Sequence, residues 1–156
     1  MNKILVLGLG NTLLGDEGVG VRVVELLKER GEYDNVEFMD GGTLSFSLAG
    51  AIADSDQLIV IDAANLQKKA GDLQVFVDEE MDHFLGAGKL SSVHEVSLLD
   101  LLSVTALSSK LPQPRALIGV QPKEIDWSDV LSSEVTAALK PAAESVELLI
   151  AKWREG

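Results

Sequence analysis

The stretch Gly10-Asn11-Thr12-Leu13-Leu14-Gly15-Asp16-Glu17-Gly18-Val19-Gly20 follows directly on the apolar run Ile4–Leu9, ILVLGL. An unbroken apolar run marks a strand covered on both faces, as in a parallel sheet between helices. A glycine-rich turn after such a strand is the usual seat of a phosphate. This turn instead ends in two adjacent acids, Asp16 and Glu17, where a phosphate needs amides and positive charge. The dinucleotide spacing G-x-G-x-x-G also fails, because Gly8 and Gly10 fit but the third position is Leu13. The third glycine allows close helix–strand packing, which a leucine at that place obstructs. No Gly-Lys-Ser/Thr follows, so the turn is not a P-loop either. No nucleotide cofactor is expected.

Working outward, Val19, Val23, Leu26 and Leu27 recur at helical spacing from Glu17 to about Gly31. Val36–Met39 reads as a second strand, closed by Asp40-Gly41-Gly42, and Leu44, Leu48 and Ile52 stripe a second helix. Gln57–Ala63, QLIVIDA, is a third, buried strand. Asp72–Val77 is strand-like, yet only Ala64–Gly71 separates it from the third. A parallel crossover needs a dozen residues or more, so this strand is expected to lie antiparallel at an edge. Ser97 and Asp100 form a capping pattern ahead of Leu98, Leu101 and Leu102. Arg115–Val120 is a last strand, and two C-terminal helices follow, one from about Ser132 to Lys140, the next with Pro141 in its first turn and running to Trp153. The alternation predicts one domain over residues 1–156, an α/β fold of three layers with a mostly parallel sheet.

Composition narrows the function. The 156 residues carry a formal net charge of −12, which repels nucleic acid and anionic membranes; neither is an expected partner. The absence of cysteine excludes disulfides, a thiolate nucleophile and Cys-based metal sites. No run approaches the roughly 20 apolar residues of a membrane span, and the N-terminal apolar stretch is too short for a signal-peptide core, so a cytoplasmic location is expected. Neither a G-x-S-x-G elbow nor an H-E-x-x-H helix is present.

Ligand sites of open α/β sheets lie beyond the carboxyl ends of the strands, where strand order reverses. Three acids fall there: Glu17 after the first strand, Asp40 at the end of the second, and Asp62 closing the wholly apolar LIVI run of the third. Asp16 reads more simply as a helix N-cap, and Glu17 on its own would equally suit the helix dipole. Of the two histidines, His83 lies in the acidic, exposed-looking DEEMDHFLG, whereas His94 lies in a loop between the edge strand and the helix opening at Ser97. Alone, His94 would be structural; beside Glu17 and Asp62 it completes an O,O,N donor set suited to Zn²⁺, Ni²⁺ or a similar ion, with a position open for substrate or water.

Taken together, GLGNTLLGDEGVG, DGGT from Asp40, IDA from Ile61, HEVSLLDLL from His94 and IGVQPKEIDW from Ile118 resemble the hydrogenase maturation proteases, in the same order along nearly the whole chain. The resemblance implies an α/β/α sandwich around a twisted five-stranded sheet. It implies an endopeptidase that trims the C-terminal extension of a nickel–iron hydrogenase large-subunit precursor after nickel insertion. By position, the metal-contacting residues are Glu17, Asp62 and His94, and Asp40 is an acid supporting processing or substrate recognition. Asn11, Gly41 and Gly42 fall in the surrounding loops, and the chain after Trp127 diverges more. The metal is expected to be nickel carried by the substrate, or else a resident divalent ion such as zinc that activates water. A monomer is expected. A nickel-sensing chaperone that cuts nothing is the alternative activity.

Overall fold

The structure, a computed structural model, describes residues 1–43, 45–90 and 97–156. The strands are β1 (Ile4–Leu9), β2 (Val36–Gly42), β3 (Gln57–Ala63), β4 (Leu73–Val77) and β5 (Arg115–Val120). The helices are α1 (Val19–Arg30), α2 (Ala49–Ala53), α3 (Glu79–Gly86), α4 (Leu98–Ser108), α5 (Ser133–Thr136) and α6 (Leu139–Glu155). The five strands form one sheet in the order β2-β1-β3-β5-β4. The first four run parallel and β4 pairs antiparallel with β5, at the edge that its short connection to β3 predicts.

Because successive side chains leave a strand on opposite faces, the sheet sorts its own residues into two cores. Ile4 and Val6 of β1 join Ile59, Ile61 and Ala63 of β3 beneath α1, α5 and α6. Leu5, Leu7 and Leu9 join Leu58 and Val60 on the other face, beneath α2, α3 and α4. Every residue of β1, β3 and β5 is buried, as unbroken apolar runs require. The result is the three-layer α/β/α sandwich with a mostly parallel sheet.

Three local departures have simple causes. The residues Gly15–Gly18 form a 3-10 turn, and α1 begins only at Val19, so Glu17 precedes the helix instead of opening it. The acidic DEEMDHFLG stretch contributes α3, whose Met81 and Leu85 are buried one turn apart while His83 remains exposed. Three apolar residues in a polar octet, only two of them buried, give too weak a period to announce a helix. At the C-terminus α5 is a single turn, and Pro141 sits third in α6, within the first turn where its missing N–H costs nothing. Ser97 caps α4 as its spacing predicts, its Oγ accepting from the Asp100 N–H at 3.0 Å.

Chain order along the sheet reverses at β1, since β2 lies on one side of it and β3 on the other. The β1–α1 turn therefore rises at the switch point, where the crevice for a ligand opens. Close packing there, which Leu13 cannot provide, comes from another glycine. A Cβ on Gly20 would lie 2.1 Å from the Ile61 carbonyl oxygen and 2.6 Å from that of Leu9. The first turn of α1 thus rests on the backbone ends of β1 and β3, while Leu13 projects outward, 56% exposed.

Gly20→Ala is expected to lower unfolding stability by about 3 kcal/mol, because the blocking atoms are backbone and cannot step aside. Gly50→Ala in α2, where a Cβ meets nothing within 4 Å, should leave stability unchanged or raise it by roughly 0.5 kcal/mol. Urea unfolding of both variants checks the pair; equal midpoints would refute the role given to Gly20.

Candidate functional site

Gly10 holds the site together. It leaves β1 with φ of 120°, a conformation open to glycine, and its N–H donates to the Gly42 carbonyl at 2.8 Å. Asn11 then folds the chain back, its Oδ1 accepting from the Leu13 N–H at 2.9 Å. The Leu14 N–H returns to the Asn11 carbonyl, and the Glu17 N–H to the Leu14 carbonyl. This tight path lays Glu17 back over Gly10. A Cβ on Gly10 would lie 1.8 Å from the Glu17 carbonyl oxygen and 3.6 Å from the Asp62 Oδ1. One glycine therefore separates the backbone of Glu17 from the carboxylate of Asp62.

Both acids are withdrawn from water, Glu17 at 1% exposure and Asp62 at 0%. Asp62 is the penultimate residue of β3, and its Oδ1 accepts from the Ala63 N–H at 2.8 Å. By strand alternation it belongs with Leu58 and Val60, on the face covered by α4. Both acids are buried at the carboxyl-terminal end of the sheet, and carboxylate oxygens are donors whose chemistry fits a divalent cation.

Asp40 stands apart from this pair. It pairs with Gly8 across β1, which places it on the α1 face, opposite to Asp62. It is exposed, and its Oδ1 accepts from the Gly42 N–H at 2.8 Å. The three acids thus reach one end of the sheet, as their strand positions predict, but only Glu17 and Asp62 are brought together in its interior. Gly41 and Gly42 form the end of β2 instead of a loop. The position predicted for the nitrogen donor, His94, lies outside the described residues. The chain on either side of that stretch is described: Leu90 bridges to Ala64, two residues past Asp62, and Ser97 caps α4, whose Leu98 packs with Leu58 and Val60. Among the described residues no group of three or more His, Cys, Asp or Glu side chains is gathered to hold a metal ion.

The main correction concerns Asp16. It caps no helix, since the residue before α1 is Gly18 and makes no side-chain capping bond. Asp16 is 1% exposed and turns its carboxylate toward the segment following β5. Its Oδ2 accepts from the Lys123 N–H at 2.8 Å, the Glu124 N–H at 3.1 Å and the Ser132 hydroxyl at 2.8 Å. Its Oδ1 accepts from the Ser132 N–H at 2.8 Å. Backbone bonds extend the seam, from the Ser128 N–H to the Leu13 carbonyl at 2.9 Å and from the Gly15 N–H to the Ser128 carbonyl at 2.8 Å. An ion pair between Lys123 and Glu134, at 3.0 Å, adds a further tie. Donation from the Ser133 hydroxyl, and then from Lys123, lowers Glu134 to about 2, so this pair stays ionised well into acid. Sequence spacing offers no sign of the hub, because its partners lie 107 to 116 residues away.

Fold and site together define a protein of the α/β/α class with two buried acids at the switch point of its sheet. A family model described as HycI, hydrogenase maturation protease, matches residues 21–148. The hydrogenase expression/formation protein HoxM of Azotobacter vinelandii is 43% identical over 142 residues, covering 90% of this chain and 68% of that protein. The hydrogenase 2 maturation protease of Escherichia coli is 40% identical, covering 92% of this chain and 88% of the relative. Among solved structures, the hydrogenase maturating endopeptidase HybD of Escherichia coli superposes with a TM-score of 0.88 at 36% identity, over 96% of this chain and 93% of that one. HybD from Thermococcus kodakarensis gives a TM-score of 0.80 at 34% identity, over 94% and 98%. The chain belongs to the hydrogenase maturation protease family, and it is a peptidase.

Asp16→Ala is expected to cost about 3–5 kcal/mol, since it strands several donors around a buried site. A helix cap would cost only about 1 kcal/mol. Denaturant unfolding separates the two, and a loss near the smaller figure would contradict the hub.

Proposed function

We propose that this peptidase removes the C-terminal extension of a nickel–iron hydrogenase large-subunit precursor after nickel insertion, with Glu17, Asp62 and His94 contacting the nickel that the precursor carries. The observation supporting this most directly is the meeting of Glu17 and Asp62 over Gly10 at the switch point, both buried. Carboxylate oxygens and an imidazole nitrogen together suit a borderline divalent ion such as nickel. A metal held by the substrate explains how cleavage waits for insertion: without nickel, the donors have nothing to grip.

The chemistry follows from positioning. Contact with the nickel fixes the adjacent segment across the sheet edge and brings one peptide bond into a defined place, which lowers the entropic part of the barrier. Water then adds to the peptide carbonyl carbon, the C–N bond breaks, and the proton passes to the departing amine. Asp40 is exposed, with its carboxylate braced by the Gly42 N–H, and in this reading it engages the precursor chain. Among the described residues no helix is long and apolar enough to cross a membrane; the proposed reading has the protein act on the precursor in the cytoplasm, as a monomer.

A resident divalent ion that activates water is the competing mechanism, and a chaperone that binds nickel-loaded precursor uncut is the competing activity. Intact-mass analysis of nickel-loaded and nickel-free precursor after incubation with the enzyme separates all three. Loss of a C-terminal peptide from the loaded form alone is the expected result. Equal cleavage of nickel-free precursor would show a resident metal, and complex formation without cleavage would show a chaperone.

Glu17→Gln and His94→Ala are expected to lower processing by about 100-fold or more with unfolding midpoints unchanged. His83→Ala, altering an exposed side chain of α3, should process at the wild-type rate. Full activity in Glu17→Gln would remove the basis of the metal contact.

A further inference from the structure

The segment 123–130 is exposed throughout, yet Lys123, Glu124 and Ser128 are bonded to the turn that carries Glu17. It carries Ile125, Trp127 and Val130, at 41%, 77% and 68% exposure, and Leu13 emerges beside it at 56%. Trp127 adjoins Ser128, whose N–H binds the Leu13 carbonyl, so Leu13 and Trp127 belong to one seam. Several large apolar groups exposed along one segment mark a place of contact. Acids alternate with them: Glu124, Asp126 and Asp129. Between these lies a hollow of about 260 Å³, lined in part by Asp16, Glu124, Asp126, Trp127 and Val130. An indole face beside carboxylates is the environment that a lysine or arginine side chain prefers.

We infer that this ridge is the docking surface for the precursor, and that it takes a basic segment interleaved with apolar residues, one cationic side chain entering the hollow beside Trp127. The inference rests on the processing function proposed above. Two features favour the precursor as occupant. The ridge is bonded directly to the turn that carries Glu17, through Leu13, Gly15 and Asp16. A second copy of this protein, with its own net charge of −12, would bring acid against acid. Asp16 is the positioning residue of this surface, holding the ridge against the turn through Lys123, Glu124 and Ser132.

Titration calorimetry and cleavage kinetics with nickel-loaded precursor test the surface, using Trp127→Ala and the charge-reversed pair Glu124→Lys/Asp126→Lys. These exposed residues leave the fold intact, checked by unfolding midpoints. Trp127→Ala should weaken precursor binding about tenfold and raise KM with kcat nearly unchanged. Charge reversal should weaken binding further and flatten its dependence on salt. Wild-type affinity in both variants, with wild-type protein still cutting, would overturn the docking surface and leave the protease reading intact. Binding that weakens in the variants while wild-type protein cuts nothing would uphold the surface and refute the protease reading. A wild-type dimer that Trp127→Ala dissociates, with precursor affinity unchanged, would assign the ridge to self-association instead and overturn the inference.

Discussion

The structure depends on a close approach of backbones at the junction of β1, β3 and α1. Gly20 lets the first turn of α1 rest on the carbonyls of Leu9 and Ile61, and Gly10 lets the Glu17 backbone fold down beside Asp62. Neither contact tolerates a Cβ. If α1 stood further from the sheet, the turn would rise into solvent and its acids with it. The distance between the Glu17 backbone and the Asp62 carboxylate is therefore set by close contact at Gly10, which deforms little.

Neighbouring acids in one turn take different tasks because the turn is a 3-10 segment in which successive residues face different ways. Asp16 reaches toward the chain after β5 and binds two backbone amides there, plus the amide and hydroxyl of Ser132. Glu17 is buried with its backbone beside Asp62. A carboxylate saturated with donors, as Asp16 is, becomes a structural clamp. The clamp joins the β1–α1 turn to residues more than a hundred positions away.

Much of this was legible in the sequence wherever the signal is local and apolar. The runs ILVLGL, QLIVIDA and RALIGV fixed three buried strands, and the short Ala64–Gly71 connection placed β4 antiparallel at the edge. Asp62 stood out because a carboxylate interrupts an apolar run, and Glu17 because acids replace a phosphate loop's amides. The misplacements have one cause, tertiary partners invisible to spacing. Asp16 looked like a cap because its true partners are distant in the chain. Asp40 shared the strand-end position of Asp62, yet the alternation of β2 sends it to the opposite face. The packing glycine was sought at position 13, whereas the 3-10 turn delays the helix and moves that duty to Gly20. α3 escaped notice because only Met81 and Leu85 are buried in it.

The central claim is that this protein's own side chains reach the nickel of its substrate. Nickel K-edge X-ray absorption on the frozen complex with loaded precursor tests it directly. The account predicts that complex formation adds oxygen and nitrogen neighbours at about 2.0–2.2 Å, and that Glu17→Ala removes an oxygen neighbour while the complex still forms. A nickel spectrum identical in free and bound precursor would contradict it, and would move the control of cleavage from metal contact to the shape of the precursor alone.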